Sequence, residues 1–200
     1  YPYYNLSKSF DLSNSLFDNY EITSTGNQKK YSTNIYEALQ INDILIQTNN
    51  FIIKDSFNSN FRTLIKNVNT KGQNSSVYKD ETQSEILSNF VYDISLPLRK
   101  TEEKYVKFLT PKLSLRHSPN NTKNIQTKDR QLNIDNLFSL NRIGVDDDVE
   151  GGTSLTLGNE FSIRDTNEKE IFIIDIGTVF REEENVNLPL NNTLRRSQSD

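Results

Sequence analysis

The residue types most able to do chemistry lie at two places in the chain. His117 is the only histidine among 200 residues, and no nucleophile or acidic partner stands at a recognisable catalytic spacing from it. The run Asp146-Asp147-Asp148 with Glu150 clusters the carboxylate oxygens that Ca²⁺ prefers. Its spacing lacks the central Gly and the terminal Glu of an EF-hand loop. We therefore interpret His117 as a rim or surface residue and the acidic run as a solvated turn that ends at Gly151-Gly152.

Composition excludes further kinds of site. The chain has no Cys, which removes disulfides, thiol nucleophiles and Cys-ligated metals from this stretch. It also has no phosphate-cradling Gly-rich loop, zinc-ligand spacing or nucleophile elbow. Its net charge of −4 argues against a nucleic-acid surface, which requires a basic stripe. We expect no catalytic residue, no metal, no cofactor, no enzyme activity and no nucleic-acid partner.

The elements that position these residues are predicted to be β-strands, because apolar and polar residues alternate along them. The residues from Ile86 to Leu98 show this contrast, and the first half of the chain repeats it less cleanly. The sequence predicts seven strands, near residues 10–22, 31–45, 51–65, 86–98, 109–117, 155–164 and 172–181.

Strand length favours a membrane barrel. The predicted strands alternate over ~11 residues or more, as a tilted membrane-crossing strand requires, whereas strands of globular proteins usually have about 5–6. No run approaches the roughly 18 apolar residues of a membrane helix. Alternation lets a barrel strand keep a polar lumen side, so a polar composition does not exclude the membrane.

The order of the connections leads to the same prediction. Short connections near residues 47–50, 99–105 and 165–169 alternate with long ones at 71–85 and 118–152, and residues 24–30 form one of intermediate length. Brief periplasmic turns and extended outer loops are typical of outer-membrane barrels. The predicted fold class is all-β, an antiparallel transmembrane β-barrel segment with an open, curved meander sheet of about seven long strands.

Pro97 and Pro111 lie inside the two facing strands of one predicted hairpin, where each removes a donor from the ladder. We expect either a local bulge with weakened pairing or an earlier end of one or both strands. The sequence alone does not separate these alternatives.

Side chains of successive residues in a barrel strand face lipid and lumen alternately. The apolar parity supplies the lipid-facing candidates, which are Phe90, Tyr92, Ile94, Leu155, Phe161, Ile174 and Phe180. The polar parity supplies the lumen-facing candidates, which are Asp93, Lys112, Arg116, Glu160, Arg164 and Asp175.

The segment from Asp135 to Gly152 resembles the loop signature of the LptD family, which assembles lipopolysaccharide in the outer membrane. In that family an Asn-Leu-Phe segment is followed by an Arg, a Gly-Asp turn, an acidic residue with glycines, and a strand that ends in Gly. The signature residues here are Asp135, Asn136, Leu137, Phe138, Asn141, Arg142, Gly144, Asp146, Glu150, Gly151 and Gly152, with Gly158 in the strand. The most specific part of the resemblance covers residues 86–181, and Asp148 stands where many members carry a basic residue.

The resemblance implies one partial LptD-type barrel domain over residues 1–200, taken from the middle of a larger barrel. It implies lipopolysaccharide transport and assembly at the outer membrane of a Gram-negative bacterium, with no bond made or broken. The implied partners are lipopolysaccharide, the lipid bilayer, an LptE-type plug lipoprotein and an LptA-type periplasmic bridge protein.

The long connection 118–152 is expected to fold back over the lumen of such a barrel. Its apolar residues Leu137, Phe138 and Leu140 are the expected anchors. Arg142 can hold the fold through charge-assisted hydrogen bonds to Asp146 or Glu150.

Two other classes of protein remain open at this point. A different outer-membrane barrel, such as a porin or a receptor, has the same kind of strands, and the N-terminal part of the complete gene separates it from the LptD family. A secreted β-rich surface or adhesion module is the second, and solubility of the full-length protein without detergent favours it.

Overall fold

The computed structural model describes residues 3–10, 17–30, 34–54 and 56–199. Within these ranges the chain forms eleven β-strands and a 3₁₀ turn, Thr193–Arg195. The strands are β1 (Tyr3–Phe10), β2 (Phe17–Lys30), β3 (Tyr36–Thr48), β4 (Phe51–Ile53), β5 (Phe57–Gln73), β6 (Gln83–Ser95), β7 (Leu98–Thr101), β8 (Tyr105–Ser118), β9 (Gly152–Asp165), β10 (Glu170–Arg181) and β11 (Gln198–Ser199). None of the helical segments in these ranges has the length or the apolar character that crossing a membrane requires.

All of these strands belong to one antiparallel sheet. Its order is β1-β2-β3-β5-β6-β8-β9-β10-β11, with β4 paired to β5 and β7 paired to β8 beside this path. Apart from the short strands β4 and β7, each strand pairs with the next one in sequence, which makes the sheet an open meander. The predicted all-β, antiparallel fold class is therefore confirmed. The predicted number of about seven long strands also agrees with the structure, because β2, β3, β5, β6, β8, β9 and β10 have 12–17 residues each.

Four shorter strands, β1, β4, β7 and β11, were not predicted as separate strands, and β1 and β4 lie in the first third of the chain. The strand predicted at 10–22 is split, because β1 ends at Phe10 and β2 begins at Phe17, and residues 11–16 lie outside the described ranges. Residues 24–30, predicted as a connection, pair with β3 through Lys30. Turn-type side chains do not prevent this, because the ladder bonds backbone groups that Ser and Asn carry like any other residue.

The strand predicted at 51–65 is also two strands. A turn separates β4 from β5, and Lys54 within it has a positive φ of 51°. The spacing of Phe51, Ile53 and Phe57 keeps the same parity on both sides of the turn, so alternation alone gives no sign of the reversal.

Pro97 ends a strand, whereas Pro111 lies within one. Ser95 stands opposite Lys112 in the ladder, and Leu98 stands opposite Leu109. Each strand advances by three residues between these pairs, so the register is unchanged and no bulge is present. β6 therefore stops before Pro97, in agreement with the second of the two alternatives, while β8 continues through Pro111.

The long connections lie together at one end of the sheet. They are residues 74–82, 119–151 and 182–197, and the short connections 102–104 and 166–169 lie at the opposite end. We refer to residues 119–151 as the outer loop and to residues 182–197 as the C-terminal connection. The alternation of short and long connections that the sequence predicts is present in this part of the chain.

The register gives the sheet two chemically different faces, because directly opposed residues of a ladder project to the same side. We call one side the apolar face, defined by a row across β5, β6, β8, β9 and β10 that consists of Phe61, Tyr92, Leu115, Leu155 and Phe180. We call the other side the polar face, defined by the adjacent row of Arg62, Val91, Arg116, Ser154 and Arg181.

Candidate functional site: the outer loop on the polar face

The ladder register separates the two sets of predicted facing residues. The seven candidates for lipid contact all lie on the apolar face: Phe90, Tyr92, Ile94, Leu155, Phe161, Ile174 and Phe180. The six candidates for the lumen all lie on the polar face: Asp93, Lys112, Arg116, Glu160, Arg164 and Asp175. The register of the ladder thus groups each set on one face of the sheet.

Three strands of the polar face donate hydrogen bonds to one short stretch of the outer loop. Arg62 Nη2 on β5 donates to the carbonyl oxygen of residue 138 at 3.0 Å. Asn89 Nδ2 on β6 and Arg116 Nη1 on β8 donate to that of residue 140, at 3.0 and 2.6 Å. Arg116 Nη2 also donates to the carbonyl of residue 139. Three consecutive carbonyls, which a helix or sheet would otherwise satisfy, are therefore bound by side chains of the sheet.

The next two strands hold a buried ionic network. Arg142 Nε and Nη2 donate to the two carboxylate oxygens of Glu150 at 2.5 and 2.6 Å. Arg181 of β10 donates to the same carboxylate through Nη1. Arg142 also donates to the hydroxyls of Ser154, at 2.6 Å, and Thr156, at 3.0 Å, on β9. The Arg142 and Glu150 side chains are 0% and 2% exposed, so bulk water does not contact this ion pair.

This network sets the charge state of Glu150. Burial alone raises the pKa of a carboxyl group, but the positive charge and hydrogen bonds of Arg142 act in the opposite direction. Arg116 and Arg181 add to that effect, and together these groups lower the pKa of Glu150 to about 2. Glu150 is therefore ionised at neutral pH, as the ion pairs require.

Two glycines on neighbouring strands make room for the tip of the outer loop. Gly158 of β9 stands directly opposite Gly177 of β10 on the polar face. A Cβ atom at Gly158 would lie 2.7 Å from Cζ of Phe138, and one at Gly177 would collide with Cδ2 of Leu137. The absence of two side chains thus creates a depression that Leu137 and Phe138 fill. Sequence reasoning identified Leu137 and Phe138 as anchors but not the depression that receives them. The signal for this depression is that both glycines stand at polar-face positions of neighbouring strands.

The C-terminal connection covers the outer loop. A buried apolar cluster joins the two connections to β10, and its members are Ile125, Leu137, Ile143, Val179, Leu188 and Leu194. Asn185 Nδ2 donates to Oγ1 of Thr122 at 2.8 Å, and Asn187 Nδ2 donates to the carbonyl of Thr122 at 3.0 Å. Asn192 Nδ2 donates to the carbonyl of Arg130 at 2.9 Å. The sequence analysis did not predict that the C-terminal connection packs on the outer loop. The signal for it is a group of apolar residues, Leu188-Pro189-Leu190 and Leu194, within an Asn-rich stretch.

Several signature residues shape the outer loop from within. Asn136 is buried, and its amide donates to the carbonyl of Gln131 at 2.8 Å. Asn141 receives a hydrogen bond from the backbone N–H of Gly144, which has a positive φ of 65°. Gly151 is crowded against the backbone of residue 120, so a side chain there has no space. Asp135 and Asp146 are exposed, and Gly152, which begins β9, has a φ of 87°.

The acidic run is not a solvated turn as a whole. Asp148 is 1% exposed, and its Oδ2 accepts a hydrogen bond from the backbone N–H of Lys123 at 2.8 Å. Burial raises the pKa of Asp148 against the lowering effect of its backbone hydrogen bonds. Within the described ranges, no three His, Cys, Asp or Glu side chains are grouped to hold a metal ion. His117 is exposed, and its Nδ1 lies 3.0 Å from Oγ1 of Thr153.

A long antiparallel sheet with opposite chemistry on its two faces, and an outer loop bound to the polar one, has the architecture of a membrane-barrel wall. The family model for LptD, described as LPS transport system D, matches residues 60–200. The chain therefore belongs to the LptD family, whose function is lipopolysaccharide transport and assembly at the outer membrane. This is a family of transport and assembly proteins rather than of enzymes. Among curated proteins, no match to the chain was found.

Proposed function

We propose that residues 1–200 form part of one wall of an LptD translocon in the outer membrane of a Gram-negative bacterium. The polar face lines the lumen through which the saccharide of lipopolysaccharide passes, and the apolar face meets the lipid. The outer loop and the C-terminal connection together close the lumen at the end of the long connections. An LptE-type lipoprotein faces the remaining polar surface, and an LptA-type bridge protein supplies the lipopolysaccharide.

The contrast between the two faces is the single observation that carries this proposal. On the apolar face Phe61, Leu115 and Phe180 are 37%, 46% and 37% exposed in one row across the sheet, whereas their neighbours in the polar row are Arg62, Arg116 and Arg181. An apolar surface of this kind needs a cover, and acyl chains supply one. On the polar face, ionic pairs such as Arg62–Asp93 at 2.6 Å and Lys112–Glu160 at 2.7 Å require contact with water or with polar partners.

The role of the outer loop can be tested by deleting residues 135–152 from the full-length protein. The deletion removes the bound carbonyls, Arg142 and Glu150 together, so we expect reduced barrel assembly and reduced surface lipopolysaccharide. Surface lipopolysaccharide and heat-dependent gel mobility of the barrel are the two measurements. The matched control is Asp135→Ala, because Asp135 is an exposed residue of the same segment. Normal assembly and normal surface lipopolysaccharide after the deletion would rule out a closing role for the loop.

A further inference from the structure

A cavity of about 330 Å³ lies on the polar face next to the tip of the outer loop. Three asparagines, Asn50, Asn58 and Asn60, and the hydroxyl residue Ser95 line one part of it. Phe138 of the outer loop lines another part. Ligand pockets span roughly 300–1,000 Å³, so this cavity suits a small part of a larger molecule.

The charges in the cavity are already matched within the protein. Arg62 Nη2 lies 2.6 Å from Asp93 Oδ2, and Lys112 Nζ lies 2.7 Å from Glu160 Oε2. Each cation thus has its own carboxylate, and the cavity offers no unmatched positive charge to a phosphate group. This balance disfavours an anionic ligand and favours a neutral one.

The amide groups of the lining are only partly matched. Asn60 Nδ2 donates to Oδ1 of Asn50 at 3.0 Å. The side-chain oxygen of Asn60 is buried and has no hydrogen-bond partner among the described residues. An amide offers both donors and acceptors, and so does a sugar hydroxyl, so the two kinds of group satisfy each other in pairs.

The cavity has little room for an acyl chain. Ile94 and Leu113 border it, but they stand opposite each other in the ladder with their side chains on the apolar face. Phe138 is therefore the one large apolar side chain directed to this side of the sheet among the lining residues. One aromatic ring among several amides suits the mixed polar and C–H surface of a sugar ring better than a hydrocarbon tail.

We propose that this cavity is a binding site for a neutral, hydroxyl-rich sugar unit, with Asn58 and Asn60 as its wall and Phe138 as its roof. The site rests on the proposed function, because it places the saccharide of lipopolysaccharide on the polar face during transport. It also joins substrate contact to the outer loop, since the residue that roofs the cavity has its own carbonyl bound by Arg62.

Photo-crosslinking in cells tests the site in the full-length, assembled protein. The photoreactive residue p-benzoylphenylalanine replaces Asn58 in the cavity, Phe57 as the adjacent residue of opposite parity, or Arg164 on the polar face outside the cavity. Each variant is compared in cells with a complete lipopolysaccharide core and in cells whose core is truncated to its innermost sugars. Heat-dependent gel mobility verifies that each variant barrel has assembled.

We expect Asn58→p-benzoylphenylalanine to crosslink to lipopolysaccharide with a complete core, and the yield to fall at least about fivefold when the core is truncated. The Arg164 variant is expected to crosslink to lipopolysaccharide in both strains. The Phe57 variant is expected not to crosslink to the core sugars in either strain. Equal yields at position 58 in the two strains overturn the sugar site, and so does crosslinking at 164 without any at 58. Loss of crosslinking at both 58 and 164 in an assembled barrel overturns the proposed function as well.

Discussion

Leu137 occupies the space in which a side chain at Gly177 would lie. The two residues are 40 positions apart in sequence, and Gly177 pairs with Gly158 on the neighbouring strand, where Phe138 takes the equivalent space. Successive residues of the outer loop thus fit successive strands of the sheet. This fit requires β9 and β10 to be in register, because a shift by one residue would bring side chains of the opposite face beneath the loop.

The first prediction concerns this fit. Gly177→Val is expected to displace Leu137 and release the outer loop, at a cost of about 1–3 kcal/mol in the free energy of unfolding. Tryptic cleavage at Lys128 or Arg130 in the folded, detergent-solubilised barrel reports the release. Ile176→Val is the control, because residue 176 is exposed on the apolar face. Unchanged cleavage in Gly177→Val would show that the loop does not depend on this contact.

The second prediction concerns the carboxylate shared by Arg142 and Arg181. Glu150→Gln keeps the shape of the side chain but leaves two buried guanidinium groups without their anion. Removing one partner of a buried ion pair typically costs about 3–5 kcal/mol, which denaturant unfolding of the barrel measures. Asp146→Asn in the same loop is expected to change stability by less than about 0.5 kcal/mol, because Asp146 is exposed.

A double variant separates the effect of the buried charges from the effect of the hydrogen bonds that Arg142 makes with β9. Replacing Arg142 and Glu150 together by Met leaves only Arg181 without an anion, whereas Glu150→Gln leaves both Arg142 and Arg181 without one. The destabilisation by the double variant is therefore expected to be smaller than that by Glu150→Gln alone. A double variant less stable than the single one would instead assign the stabilisation to the hydrogen bonds that Arg142 makes with Ser154 and Thr156.

The third prediction is a pH dependence that belongs to Glu150. Its pKa is about 2 in the folded protein and about 4.3 in an unfolded chain, so folding favours the ionised form. The resulting stabilisation is present above about pH 4.3 and is lost as the pH falls through about 2. The difference in unfolding free energy between the wild type and Glu150→Gln is therefore expected to be constant from pH 7 to about 5 and to shrink toward pH 2. A difference that is the same at pH 2 and pH 7 would contradict it.

The sequence predicts the parity of most strands because alternation is a local property. Phe90, Tyr92 and Ile94 lie on one face of the sheet whichever strands pair with β6. The pairing determines only which residues of the neighbouring strands stand beside them. Strand ends are less accessible to such reasoning. The turn at Lys54 separates two strands, yet the alternation of apolar residues continues with the same spacing before and after it. Residues 24–30 pair with β3 although their side chains are of types common in turns.

The candidate site is only half predictable for a related reason. The outer loop could be identified from its own residues. Charge and proximity in sequence gave Arg142 two candidate partners, Asp146 and Glu150, and the structure pairs it with Glu150. The receptors of the loop are long-range partners: Arg62 bonds to a carbonyl 76 residues away, and Asn89 to one 51 residues away. Nothing local marks such a pair, because the contact exists only once the strand order and register are set.

The last prediction separates the two faces of β10 with a pair of adjacent residues. Ile173 and Ile174 are equally exposed, at 48% and 49%, but they project to the polar and the apolar face respectively. If the apolar face meets lipid, Ile174→Arg places a charge in hydrocarbon and is expected to cost up to about 2–4 kcal/mol near the bilayer midplane. Ile173→Arg places the same charge on the lumen side and is expected to cost less than about 1 kcal/mol.

Reversible unfolding of the barrel in lipid vesicles measures both costs. Each variant loses an Ile side chain and gains the volume of an Arg side chain, so these two contributions drop out when the costs are compared. A larger cost for Ile174→Arg than for Ile173→Arg assigns the apolar face to the membrane. Equal costs, or a larger cost at 173, would mean that water or another protein surface covers the apolar face, and the barrel orientation proposed for this sheet would then be wrong. The two variants therefore test orientation independently of the outer loop, because neither residue belongs to the apolar cluster that the loop forms with Val179.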